Sequence, residues 1–128
     1  MAKNFTFTMH KNVSAETVKF MNSVIAELKS KQSIEDIDSG ALHMLMTSYE
    51  MYLQATERLL NDGPLSTNKY GDIIPHPAQT IATKNYNQVL AIMKEYGLTV
   101  KSRTNMKMYK EDEPSPLDRF LPSAIEMR

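Results

Sequence analysis

Three histidines, one cluster of acids and one run of bases are the residues from which chemistry would have to be built. His10, His43 and His76 stand far apart, make no H-x-x-x-H or H-E-x-x-H pair, and have no carboxylates at metal-loop spacing around them. Glu35, Asp36 and Asp38 could be pictured as a general acid and base. They fall, however, where a helix is expected to begin, and carboxylates there are stabilised by the helix dipole without any reaction. The four glycines are isolated at Gly40, Gly63, Gly71 and Gly97, so there is no glycine-rich phosphate loop. The absence of cysteine removes disulfides, thiolate metal sites and a cysteine nucleophile. The reading is of a protein that is not an enzyme and takes neither cofactor nor metal.

Binding is better supplied. Residues 97–110 carry Lys101, Arg103, Lys107 and Lys110 with no acid among them, the clustered positive charge that phosphate contacts need. A solvated connector explains the same run without function. Lys11, Lys19, Lys29 and Lys31 form a second candidate patch, and residues 34–96, with four bases and eight acids, oppose both. Fifteen basic and fifteen acidic residues cancel over the 128-residue chain, which excludes a uniformly basic nucleic-acid binder. Tyr49 and Tyr52 with Met44, Met46 and Met51 could line a groove, but at helical spacing such residues usually form core or a subunit interface.

The elements that position these residues follow from periodicity. Ser14 is an N-cap ahead of Val18, Met21, Val24, Ile25 and Leu28, which predicts a helix over about 15–31. Ser33 and Asp36 resemble a capping box opening a second helix from about residue 34 to Asn61. Its positions Leu42, Leu45, Tyr49, Tyr52, Thr56 and Leu59 alternate spacings of three and four, a heptad-like seam. The first helix is too short to cover the whole of that stripe, so partner subunits are expected against the rest. Leu65 and the pair Ile73–Ile74 flank turn formers at Asn68–Gly71, which predicts a small hairpin. Pro77 and Gly97 bracket a third helix over about 77–96, and Thr99 could cap a short basic helical turn through Lys101 and Arg103. No short recognition helix stands out, which argues against a standard helix-turn-helix.

Residues 1–13 read as an N-terminal arm, 14–108 as the helical domain, and 109–128 as a flexible, proline-containing, charged tail. Within that tail Phe120, Leu121 and Ile125 form an apolar cluster of the kind that orders on a partner. The start MAKNFTFTMHKN lacks the apolar block of a signal peptide, and no apolar run approaches a membrane span, so a cytosolic protein without membrane contact is expected.

Gly71, His76, Pro77 and Asn85, followed by Tyr96, Gly97, Leu98, Thr99, Ser102 and Arg103, resemble the motifs of a large family of phage terminase small subunits. Upstream, Asp36 or Asp38, Tyr49, Tyr52 and Ala55 match its capped long helix, and the resemblance covers roughly residues 14–108. Two departures stand out: the first helix lacks the family's frequent tryptophan, and Val100 stands where proline usually follows Leu98 and Thr99. What the resemblance implies is a ring-forming homo-oligomer in the host cytoplasm, encoded by a phage or prophage. It would recognise double-stranded viral DNA for genome packaging and present it to the large subunit, which holds the ATPase and nuclease activities. On that reading Lys101, Arg103, Lys107 and Lys110, with Lys29 and Lys31, face DNA. Leu42, Leu45, Tyr49, Tyr52 and Leu59 form the oligomer interface, and Phe120, Leu121 and Ile125 dock on the large subunit. The competing reading is a helical protein–protein adaptor that does not bind DNA. The expected fold is mainly α: a helical hairpin with one long helix, a short β-hairpin or turn-rich segment, a third helix and the tail.

Overall fold

The computed structural model describes residues 5–111, with side chains through Lys107. It is mainly helical, in the order α1 (Ala15–Ser30), α2 (Asp38–Asp62), β1 (Leu65–Thr67), β2 (Ile73–Pro75), α3 (Ala78–Glu95) and α4 (Val100–Glu111). The described residues divide into two compact units, with the boundary between Ile92 and Met93.

In the first unit, α1 begins where expected: the Ser14 hydroxyl accepts from the Thr17 amide at 3.4 Å, satisfying a donor that the first turn leaves without a helical partner. Met21, Val24, Ile25 and Leu28 of α1 and Leu42, Leu45 and Met46 of α2 are buried. Their three- and four-residue spacing puts them on one face of each helix, and each contributes about 1.5–3 kcal/mol of apolar burial. Phe5 from the N-terminal segment is buried as well, and the Phe7 ring lies 4.5 Å from that of His43.

The link between α1 and α2 corrects one expectation. Gln32 takes the left-handed conformation (φ 54°), and the Ser33 amide bonds back to the Leu28 carbonyl at 3.0 Å, closing α1. The Ser33 hydroxyl also donates to the Leu28 carbonyl, at 3.3 Å, and so is spent on the end of α1 rather than on a capping box. Accordingly α2 starts four residues later than predicted from Ser33, at Asp38, whose carboxylate accepts from the Glu35 amide at 2.9 Å.

The hairpin forms as the sequence suggests, with Leu65 opposite Pro75 and Thr67 opposite Ile73. Its turn is organised by Asn68, whose side-chain carbonyl accepts from the amides of Tyr70 and Asp72, both at 2.9 Å, while Gly71 supplies the positive φ of 85°. Small residues then let α2 and α3 approach: Ala55, Ala78 and Ala82 form a buried cluster with Leu59 against it.

In the second unit the basic turn expected after Gly97 is a helix of 12 residues, longer than the few positions Thr99 alone could organise.

Candidate functional site

The basic helix α4 is set by two reciprocal caps. Gly97 ends α3 at φ 69°, with its amide on the Lys94 carbonyl at 3.1 Å and the Leu98 amide on the Met93 carbonyl at 2.8 Å, a Schellman closure. One residue later α4 is opened by a box: the Thr99 hydroxyl accepts from the Ser102 amide and the Ser102 hydroxyl accepts from the Thr99 amide, each at 3.1 Å. Arg103 ties the corner by donating to the Leu98 carbonyl at 3.3 Å. The run Gly97, Leu98, Thr99, Ser102, Arg103 is therefore a helix-to-helix corner. What it presents is Lys101, Arg103 and Lys107, all exposed. Lys94 and Lys101 share a cavity of about 360 Å³ with Asn105 and Met106. Lys110 lies in α4 beyond the described side chains.

The other proposed DNA-facing pair belongs to the first unit. Lys29 is exposed in the last turn of α1 and Lys31 follows it, paired with Glu27 at 3.1 Å. Phe120, Leu121 and Ile125 fall outside the described residues.

Along the α2 seam, Leu42 and Leu45 are fully buried within the single chain, whereas Tyr49, Tyr52 and Leu59 keep part of their surface. The tyrosines join an aromatic series across three helices. Phe20 stacks on Tyr49 at 3.9 Å, Tyr49 meets Tyr52 at 6.3 Å, and Tyr52 meets Tyr86 at 5.9 Å. Burial, then the nearby charges of Glu16 and Tyr52, push the Tyr49 hydroxyl above its ordinary pKa.

Two polar nodes fix this scaffold. His76 reads two elements at once: its Nδ1 accepts from the Ala78 amide at 3.0 Å, capping α3, and its Nε2 faces the Asp62 carboxylate at 2.9 Å. An acceptor Nδ1 places the proton on Nε2, which then donates to Asp62. Arg58 holds the same carboxylate oxygen at 2.7 Å. The His76 bond first, then Arg58, keeps Asp62 below the usual carboxylate range. With both ring nitrogens committed, His76 is a clasp and not a free base.

The second node is Glu50, only 5% exposed. One carboxylate oxygen accepts from the Ser14 amide and the Thr17 hydroxyl, both at 2.7 Å, and the other from Gln54 at 2.8 Å. Burial alone would raise this carboxyl, but the bonds from Ser14, Gln54 and Thr17 outweigh it and hold the pKa at about 2. Sequence reasoning missed Glu50. Its only signal is an acid set among Tyr49, Met51, Tyr52 and Leu53 on an otherwise apolar stretch.

Among the described residues no group of His, Cys, Asp and Glu could hold a metal ion, and no helix is long and apolar enough to cross a membrane. The sequence profile of the family described as phage terminase, small subunit, matches residues 19–113, which include most of α1, all of α2, the hairpin, the His76 clasp and the Gly97–Arg103 corner. No curated protein and no solved structure matches the chain.

Proposed function

The chain belongs to the phage terminase small-subunit family, whose role is in phage DNA packaging, and from that premise we propose that it is a non-catalytic, homo-oligomeric DNA-recognition and adaptor subunit. In this reading it works in the host cytoplasm and presents double-stranded viral DNA to the large ATPase and nuclease subunit.

The observation that carries the DNA contact is α4, where Lys101, Arg103 and Lys107 project from a helix whose start is fixed by two caps. A corner of this kind limits the entropy lost when the side chains meet phosphates. Tyr49, Tyr52 and Leu59 of α2, with exposed Met51 on α2 and exposed Tyr86 of α3 against Tyr52, are the surfaces proposed for neighbouring subunits. The tail cluster Phe120, Leu121 and Ile125 is proposed for the large subunit.

The test is the solution mass by light scattering, followed by titration with double-stranded DNA over a salt series. A large defined oligomer is expected, with log affinity falling against log salt at a slope of about −3 for each set of three phosphate contacts. A monomer indifferent to DNA at low salt would refute the proposal and leave the protein–protein adaptor.

A further inference from the structure

Helix α2 outreaches α1. With 25 residues against 16, it is about 37 Å long against about 24 Å at 1.5 Å per residue. The α1 N-terminus meets α2 at Glu50, through the Ser14 amide, so the turns of α2 that follow extend past α1. The alanine cluster with α3 covers one side of that extension. Beside that stretch an open groove of about 570 Å³ is lined by Leu53 and Leu60 together with Glu16, Glu50, Glu57 and Asn61. Leu60 is 81% exposed, and neither Glu16 nor Glu57 has a salt bridge among the described residues. Apolar side chains set among carboxylates repel phosphate and suit a basic helix that also brings apolar surface.

The chain contains such a helix. Val100, Arg103 and Lys107 recur on α4 at spacings of three and four, Val100 is 71% exposed, and residues 97–110 hold no acid. Leu53, Glu57 and Leu60 recur on α2 at spacings of four and three, so apolar and charged positions can alternate along both partners. We propose that the groove of one copy binds α4 of a second copy. This rests on the oligomeric reading above and gives it a specific contact. DNA then competes with the groove for the same Arg103 and Lys107 side chains.

Charge reversal tests the contact. Glu57→Lys and Arg103→Glu, each checked for an unchanged circular dichroism spectrum, should lower self-association at least about tenfold at low salt. Mixing the two variants should restore association, because the reversed charges then face each other. Since the sequence has no cysteine, a Leu60→Cys chain and a size-tagged Val100→Cys chain should also be joined to one another by a flexible bis-maleimide. An unchanged mass for both variants beside an oligomeric wild type would overturn the groove contact while leaving the oligomer intact. A monomeric wild type would instead refute the oligomeric reading itself. A doubly substituted chain that links only within itself on dilution would overturn the second copy as occupant.

Discussion

Replacing Glu50 by glutamine keeps the shape of the side chain and removes its charge. The remaining amide oxygen still accepts from the Ser14 amide and the Thr17 hydroxyl, but an NH2 group now faces Gln54, whose bond to the second oxygen is lost. The carboxyl sits at about 2 in the folded chain against an ordinary 4.5, a difference of about 3 kcal/mol that favours the folded, ionised form. A depressed carboxylate contributes its full stability above the unfolded value, and loses it as the pH falls through 4.5 toward 2. Between pH 7 and pH 3 the loss from this group is about 2 kcal/mol. Glu50→Gln should therefore be less stable than wild type at pH 7, and the gap should close by about 2 kcal/mol at pH 3. Urea unfolding followed by circular dichroism at pH 7, 5, 4 and 3 measures both curves. Asp62, also depressed, acts in the same direction in both chains and cancels from their difference. A gap of constant size from pH 7 to pH 3 would refute the assignment of a charged, hydrogen-bonded Glu50.

His76→Ala removes the cap on α3 and should cost about 1 kcal/mol, with the Asp62 carboxyl titrating at higher pH in a side-chain carboxyl NMR experiment. Gly97→Ala puts a Cβ 2.5 Å from the Met106 sulfur at a φ of 69°. Because Met106 is partly exposed and can swing away, the left-handed strain should dominate at about 1 kcal/mol, and Met106→Ala should rescue little of it in thermal unfolding. Gln32→Gly relieves the same kind of strain at the end of α1 and should raise stability by up to about 1 kcal/mol in the urea assay.

The parts of this fold that were legible in the sequence are those written as local periodicity or local turn chemistry. Ser14, the apolar spacing of α1, the Pro77 and Gly97 that bracket α3, and the turn formers Asn68 to Gly71 each act within a few residues of themselves, and each predicted its element closely. The start of α2 was not legible in that way, because Ser33 lies between two helices and its hydroxyl serves the one behind it. The length of α4 was obscured by its composition, since polar, basic residues give little apolar period to follow. Glu50 needed knowledge of long-range partners: Ser14 and Thr17 lie more than thirty positions away, and nothing in the residues around Glu50 announces them. Pro77 marks the start of a helix, but nothing local to His76 shows that its ring reaches back to Asp62.

That reach has a consequence for the segment between them. The His76 amide bonds to the Pro64 carbonyl at 2.8 Å while its ring holds Asp62, so the hairpin leaves and rejoins the helices through a fastened neck. What happens at its tip is then insulated from how α2 and α3 are spaced. Doubling the length of the Asn68–Gly71 turn would cost only about 0.6 kcal/mol in closure entropy. The tip is thus a port where an epitope or a fluorophore could be grafted, reporting on the protein without disturbing the helices beneath it.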